Sequence, residues 1–393
     1  MFKYSTFNTC CVDSTETEDG ERRGGPVPQD GGNAECSPAS LGNTTKFVAI
    51  SVKGRLQRYI LQAAIAEMIP NERVNWCLRR VRPDKDLVNI LYSTERKKAH
   101  YGNLMVCGSA WLCPICSAKI AEVRKSEIDR GLSSWTGGSL MVAYTLQHGK
   151  NNRLVDTRAL MTTSYRNMQQ ERAWRDLKAR FRVVGQITSQ EVTWGAENGW
   201  HPHKHALLLT ENEFKAGDLP DLEERISRIF RKQVEQLGGY AHPDYSVKLS
   251  MGDAQQMGDY VGKGTWGAVD ELTKGTVKRG RDGHLSPFEI AWWAGTGDLW
   301  ARFLFQEYAR AMKGTKQLVF SKGLRKLLNL DRDRNDQEIA ETDDPEVEIL
   351  ARLGRDVWAV ICKQGLRGQL LEVADFGDIE QINDFLKGVF DAE

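Results

Sequence analysis

Three histidines alternate with other residues in the sequence HPHKH at 201–205, which continues into the apolar residues 206–209. Side chains two residues apart on a β-strand point to the same face, so a strand here would present the three imidazoles in a row. Imidazole nitrogens are common ligands of divalent metal ions. The spacing therefore predicts a metal site in which His203 and His205 are the deeper ligands and His201, nearer the turn, is a further candidate.

Hairpin geometry adds a carboxylate to this site. The sequence GAENG at 195–199 is typical of a turn, and it follows a predicted strand over 183–194. If the turn centres on Glu197, Glu191 lies directly opposite His203 and shares its face, whereas a slip of one residue would turn Glu191 away. Two imidazoles and one carboxylate leave coordination positions open, as a catalytic metal site requires. The alternatives are a polar exposed strand that binds nothing and a structural zinc site.

A tyrosine and a lysine in the sequence DYVGKG at 259–264 offer further chemistry. Tyr260 and Lys263 are three residues apart and share one face of the helix predicted over 254–262. A phenol with a pKa of about 10 is a weak nucleophile at neutral pH, but a metal ion that polarises a phosphoryl oxygen makes attack on phosphorus feasible. We therefore predict Tyr260 as a nucleophile and Lys263 as a charge-stabilising partner. The alternative for Tyr260 is a packed aromatic.

Cysteines cluster in the sequence CGSAWLCPIC at 107–116. Cys107, Cys113 and Cys116 would supply three ligands of a tetrahedral zinc site, and His100 or Cys77 would supply the fourth. The alternative is a set of reduced, buried thiols.

No apolar segment typical of secretion or of a membrane span is present, so we expect a cytoplasmic protein with no membrane association.

The order of predicted elements indicates an α+β fold with an antiparallel sheet and helices packed on one face. A strand at 140–146, a helix at 157–180, the hairpin, a helix at 222–237 and a strand at 245–249 precede the tyrosine helix. The predicted organisation comprises a disordered arm (1–45), a cysteine-rich module (46–135), a nuclease domain (136–275), a helical extension (276–330) and an acidic C-terminal appendage (331–393).

The net charge of +1 averages three unlike regions: residues 1–45 carry −4, residues 46–330 carry +15 and residues 331–393 carry −10. A basic body is typical of a protein that binds a polyanion such as nucleic acid, although a solvated basic surface is the alternative. Trp194 and Trp200 are candidates for stacking on unpaired bases, with packing inside the hairpin as the favoured alternative, and Lys204 is a candidate DNA contact.

Three motifs, in this order, resemble those of plasmid rolling-circle replication initiators of the HUH endonuclease superfamily. They are MVAYTLQH at 141–148, GWHPHKHALL at 199–208 with the upstream Glu191, and DYVGKG at 259–264. The resemblance covers about 75–330. It implies an HUH nuclease core that nicks and rejoins single-stranded origin DNA.

The resemblance also implies that Tyr260 forms a 5′-phosphotyrosyl link to the DNA. It further implies that Glu191, His203 and His205 hold Mg²⁺ or Mn²⁺. It also implies plasmid origin DNA as the partner, with helicase and polymerase supplied by the host. Two positions depart from the family pattern: Lys204 replaces a bulky apolar residue, and Gln256 replaces a glutamate found in some members. A conjugative relaxase or transposase of the same superfamily, and a non-catalytic zinc-containing DNA-binding regulator, are the alternative functions.

Overall fold

The computed structural model of the protein describes residues 54–251, 284–342 and 346–391. The predicted arm over 1–45 and the predicted tyrosine helix over 254–262 lie outside these residues. Everything stated below about the structure concerns the described part of the chain.

The described strands and helices alternate along most of the chain. The strands are β1 (Val88–Ser93), β2 (Lys98–Gly102), β3 (Gly138–Tyr144), β4 (Val183–Gly195), β5 (Gly199–Thr210), β6 (Val247–Met251), β7 (Leu318–Phe320) and β8 (Val347–Leu353). The α-helices are α1 (Arg55–Met68), α2 (Pro114–Ser133), α3 (Leu154–Gln170), α4 (Arg172–Arg180), α5 (Leu219–Gln236), α6 (Pro287–Gly295), α7 (Leu299–Met312), α8 (Leu324–Leu327), α9 (Asp336–Glu341), α10 (Arg355–Lys363), α11 (Arg367–Ala374) and α12 (Ile379–Phe390).

A five-stranded sheet in the order β6-β3-β5-β4-β7 carries the histidine segment on its central strand. Every neighbouring pair in this sheet is antiparallel. The α+β class and the antiparallel sheet are therefore confirmed. The sequence analysis did not predict the short edge strand β7, which lies in the segment expected to be helical.

The β4–β5 hairpin sets the position of the predicted metal ligands. It pairs Glu191 with His203 and Gly195 with Gly199, so the predicted register is confirmed. Gly199 has a φ of +71°, a left-handed conformation that costs other residues about 1–2 kcal/mol. A β-carbon on Gly199 would also lie 2.8 Å from the backbone oxygen of Lys150. The turn therefore requires glycine at this position.

Helices cover both faces of the five-stranded sheet, which corrects the prediction that they pack on one face. On one face, Ala206 and Leu208 pack in a core with α3, α4 and α5. On the other face, Leu207 and Leu209 pack against the end of α2 and against α8. Consecutive residues of a strand point to opposite faces, so this uninterrupted apolar run buries both sides of β5.

The helix predicted over 157–180 is broken into α3 and α4. Glu171 separates them with extended backbone angles of φ −63° and ψ 140°. Its carboxylate accepts hydrogen bonds from Gln233 at 2.6 Å and from Lys232 at 3.2 Å, both on α5. These contacts with α5 stabilise the break, and residue spacing within 157–180 does not indicate them.

A second antiparallel sheet joins the cysteine-rich segment to the acidic C-terminal segment. β1 pairs with β2 on one side and with β8 on the other. One continuous hydrophobic core includes residues of α1, the cysteines, α6 and α7, and α10 to α12. The predicted segments 46–135, 276–330 and 331–393 therefore share a core, and the last of them is not a separate appendage.

Membrane insertion receives no support from the helices. None of those in the described ranges is both long and apolar enough to cross a bilayer.

We predict that Gly199→Ala lowers the free energy of unfolding by about 1–2 kcal/mol, because alanine is strained at a positive φ. Chemical denaturation monitored by circular dichroism would measure the change. Gly217→Ala is the matched control, since a β-carbon there meets no atom within 4 Å. Equal stability of the two variants would contradict the assigned turn.

Candidate metal centres and functional site

Glu191, His203 and His205 converge on one face of the five-stranded sheet. Oε2 of Glu191 lies 3.3 Å from Nε2 of His205 and 4.0 Å from Nε2 of His203. The two histidines share a face because they alternate on β5, and Glu191 joins them because it lies opposite His203. Glu191 and His205 are 4% and 7% exposed, whereas His203 is only partly buried. Solvent therefore reaches the group beside His203.

This group has the donor chemistry that a divalent cation requires. Metal–ligand bonds of about 2.1 Å place neighbouring ligand atoms about 3.0–3.5 Å apart. The Glu191–His205 separation of 3.3 Å falls in this range, and the Glu191–His203 separation of 4.0 Å exceeds it. Two imidazoles and one carboxylate leave coordination positions for water or a phosphate oxygen.

His201 belongs to the same row but contacts a different partner. Its Nδ1 is hydrogen-bonded to Nε2 of His148, and Nδ1 of His148 lies 2.8 Å from the backbone oxygen of Asn198. A carbonyl oxygen only accepts, so His148 donates from Nδ1 and presents the lone pair of Nε2 to His201. Burial, together with the nearby His148 and His284, lowers the pKa of His201 to about 4. The structure does not bring His201 into the three-ligand group.

The sequence analysis missed two residues of this histidine cluster. The ring centroids of His148 and His201 are 4.7 Å apart, and those of His201 and His284 are 6.0 Å apart. Five of the seven histidines in the sequence therefore lie in or next to the row. His148 ends the motif MVAYTLQH, which was the available signal, whereas nothing beside His284 in the sequence indicates its place.

Lys204 lies on the opposite face of β5 from His203 and His205, because it occupies the intervening position. Its Nζ lies 3.3 Å from Oε1 of Gln190 and 5.6 Å from the centroid of the Tyr165 ring. Burial, with the nearby cation of Arg158, lowers the pKa of Lys204 to about 8. A partly buried position against α3 does not suit the predicted DNA contact, so that assignment is corrected.

Trp194 and Trp200 form a cross-strand pair next to the hairpin turn. They are 5% and 2% exposed, and both belong to the hydrophobic core. Nε1 of Trp200 donates to Glu307 at 2.9 Å, and its ring stacks on Tyr308 with centroids 6.0 Å apart. Both rings are therefore buried in the core, as the packing alternative expects, and they are not available for stacking on DNA bases.

A second candidate metal group consists of four buried cysteines, Cys77, Cys107, Cys113 and Cys116. The Sγ atoms of Cys77 and Cys116 are 3.6 Å apart, those of Cys107 and Cys116 are 3.7 Å apart, and those of Cys77 and Cys113 are 3.8 Å apart. A tetrahedral ion with metal–sulfur bonds of about 2.3 Å places its ligands about 3.8 Å apart. The four sulfur atoms therefore have the spacing of a closed structural site.

The fourth member of this group is Cys77 rather than His100. His100 lies on β2 opposite Leu91, outside the four-sulfur group. Burial raises the pKa of Cys113, but hydrogen bonds from the other three thiols outweigh it and hold that pKa well below its usual range. The cluster therefore favours the thiolate of Cys113, whereas hydrogen bonds to the neighbouring cysteines raise the pKa of Cys77 and of Cys107.

The beginning of α2 explains how two of the four cysteines meet. Cys113 immediately precedes the helix, and Pro114 occupies its first position. Proline is favoured there because its fixed φ suits a helix and its missing N–H is not needed. Cys113 and Cys116 therefore lie within one turn of a rigid helix.

Tyr260, Lys263 and Gln256 lie outside the described residues, so their predicted roles remain predictions. The described range 54–251 ends at Met251, the last residue of β6. In the five-stranded sheet, only β3 lies between β6 and β5.

We predict that Glu191→Gln weakens binding of Mn²⁺ by at least about tenfold, because an amide supplies no negative charge to the cation. Electron paramagnetic resonance of free Mn²⁺ would measure the affinity. The matched control is Glu197→Gln at the exposed tip of the same hairpin, for which we expect no change. Equal losses in both variants would argue against Glu191 as a ligand.

We predict that purified protein holds one metal ion per chain at the four-cysteine cluster and that Cys113→Ser loses it, because three thiolates bind far less tightly than four. Elemental analysis after desalting would measure metal content. Cys362→Ser is the control, since Cys362 lies outside the cluster. Full metal content in Cys113→Ser would rule out the assigned cluster.

Comparisons with known proteins identify the family. The family model for Replication protein matches residues 102–359. Protein rep of Streptomyces lividans is 26% identical over 347 residues, covering 70% of this chain and 76% of that protein. Neomycin resistance protein of Streptomyces cyanogenus is 31% identical over 144 residues, covering 29% of this chain and 33% of that protein. No solved structure shows a significant match. Because the family model spans more than half of the chain and includes both histidine ligands and the carboxylate, this chain belongs to the replication protein family.

Proposed function

We propose that this replication protein initiates rolling-circle replication of a plasmid by nicking and rejoining one strand of origin DNA. The observation that carries the proposal is the convergence of Glu191, His203 and His205 on one sheet face in a chain of this family. The donor set is open and lies on paired strands, which suits catalysis better than a closed structural site.

The nucleophile in this proposal is the phenolic oxygen of Tyr260. It forms a bond to the scissile phosphorus while the bond from phosphorus to the 3′ oxygen breaks. The departing oxygen takes up a proton and becomes a free 3′-hydroxyl, which primes synthesis, and the 5′ end stays attached to the tyrosine. Lys263, three residues later, stabilises the negative charge on the phenolate or on the phosphate.

Glu191, His203 and His205 would hold Mg²⁺ or Mn²⁺ in this reaction. Such an ion acts as a Lewis acid on the phosphoryl oxygens of the scissile bond. The partly buried His203 marks the side from which a phosphate approaches, since Glu191 and His205 are more deeply buried. The hairpin therefore orients the ligands before DNA arrives.

Rejoining follows from the same covalent link. The phosphotyrosyl ester conserves the phosphodiester bond energy, so attack by a 3′-hydroxyl closes the strand without ATP. The sequence contains no Gly-Lys-Ser/Thr loop that would bind a nucleoside triphosphate, so host helicase and polymerase complete the cycle in the cytoplasm. We also propose that Zn²⁺ occupies the four-cysteine cluster, with a structural role that its four closed sulfur ligands favour.

We predict that Tyr260→Phe abolishes covalent attachment of the protein to a single-stranded origin oligonucleotide in the presence of Mn²⁺. Phenylalanine lacks the oxygen that forms the bond, while the ring size is kept. Denaturing gel electrophoresis with a 5′-fluorescent and a 3′-fluorescent oligonucleotide would show whether an adduct forms and which DNA end it carries.

Tyr245→Phe provides the control, because Tyr245 is 68% exposed on the chain before β6. It should form the adduct as wild type does. An adduct with unchanged yield in Tyr260→Phe would reject the nucleophile, and attachment to the 3′ end would reject the proposed polarity. Cleavage of a transfer origin instead of a replication origin would identify a relaxase.

A further inference from the structure

A cleft of about 870 Å³ opens beside the four-cysteine cluster. Its walls come from α1, from the chain around 73–84, from β2, from the beginning of α2 and from α9. Cys116 itself lines the cleft. None of its lining residues belongs to the group of Glu191, His203 and His205, so it is a separate concavity in the described part of the chain.

Positive charge predominates in this basic cleft. Its lining includes three carboxylates, Asp84, Glu122 and Glu341, and Arg96 is paired with Glu122 at 3.2 Å. Arg82 lies 3.4 Å from Asp84. The other cationic side chains of the lining are Arg55, Arg58, Arg73, Lys98 and Lys119.

Several of these cations are crowded together or contact uncharged groups. Arg55 and Lys98 share a single carboxylate, that of Asp375, each at 2.8 Å. The pKa of Arg58 is lowered by burial and by the nearby cation of Arg55. An anion entering the cleft would relieve this repulsion between like charges.

Arg73 is positioned by uncharged partners. Its guanidinium donates to the amide oxygen of Gln337 at 2.6 Å and lies 5.3 Å from the centroid of the Trp76 ring. A guanidinium held against an aromatic face keeps its charge and loses little further freedom when it binds phosphate. Arg73 is also exposed, so a polyanion can reach it.

The four-cysteine cluster fixes the segments that carry the cations. Cys77 lies between Arg73 and Arg82 in the sequence, and Cys116 lies three residues before Lys119 on α2. The cluster therefore ties two walls of the cleft to one point, which holds their positive side chains at a constant separation.

We propose that this basic cleft binds the sugar–phosphate backbone of duplex DNA at the origin, apart from the site that cuts the single strand. The inference rests on the proposed function. Phosphate contacts by lysine and arginine dominate duplex binding, whereas proteins that bind single strands rely on accessible aromatic rings. Of the four aromatic rings in the lining, Tyr59 and Tyr101 are buried at 6% exposure each, and Trp76 and His100 are partly buried, so the cleft offers no fully exposed ring for stacking.

The test compares the double variant Arg73→Gln and Arg82→Gln with the wild-type full-length protein. Fluorescence anisotropy with a duplex origin fragment, over a series of salt concentrations, measures the affinity. We expect affinity at low salt to fall by about tenfold or more, and the slope of log affinity against log salt to flatten by about 0.9 for each phosphate that is no longer neutralised. The control is Arg153→Gln with Arg172→Gln, two cations with side chains 72% and 88% exposed outside the cleft.

A second measurement separates this proposal from the proposed function. Each variant is given a single-stranded nick-site oligonucleotide with Mn²⁺, and metal content and circular dichroism verify folding. Weaker duplex binding with unchanged cleavage supports the cleft. Unchanged duplex affinity, or an equal loss of duplex binding and single-strand cleavage, overturns it. If wild type cleaves nothing while the cleft variant loses duplex affinity, the proposed function fails and the cleft stands.

A single variant, Lys98→Gln, keeps the test valid if the double variant does not fold. Lys98 has a side chain that is 61% exposed, so its removal leaves the core intact. We expect about a threefold loss of duplex affinity with unchanged metal content, and no loss would count against the cleft.

Discussion

The pairing of Glu191 with His203 across the β4–β5 hairpin is the contact on which the candidate nuclease site depends. Successive side chains of β5 point to opposite faces of the sheet. His203 and His205 point to the face that collects ligands, and Lys204 points to the face that packs on α3. At the end of the hairpin, Trp200 is anchored by a hydrogen bond to Glu307. Because the core holds the strand at this end, its register is resistant to slippage, and the ligands keep their separation.

Helix α2 carries part of the four-cysteine cluster at its beginning and packs against the five-stranded sheet near its end. Its 20 residues extend over about 30 Å. Cys113 and Cys116 lie at its beginning, in the four-cysteine cluster. Near its end, Ile128 and Leu132 pack against the sheet face that also carries the histidine ligands. A structural ion in the cluster would therefore stabilise the helix that supports the five-stranded sheet as well as the walls of the basic cleft.

Carboxylates of the acidic C-terminal segment form ion pairs with the basic body of the chain. Asp375 forms ion pairs with Arg55 and Lys98, and Asp333 forms one with Arg124 of α2 at 3.0 Å. Part of the charge difference between the body and the C-terminal segment is thus neutralised inside the fold. Because β8 also completes the second sheet beside β1, this segment belongs to the structural body.

Patterns in the sequence sufficed to predict the antiparallel α+β class, the hairpin register, the grouping of Glu191 with His203 and His205, and three of the four clustered cysteines. These features depend on alternation and short spacing, which act between residues close in the chain. Three further features became known from the folded chain: Cys77 completes the cluster, His148 is hydrogen-bonded to His201, and helices cover both faces of the five-stranded sheet. Trp194 likewise lies in the core. Such contacts join residues far apart in the sequence, and their formation depends on how helices and sheets pack, which no local pattern encodes.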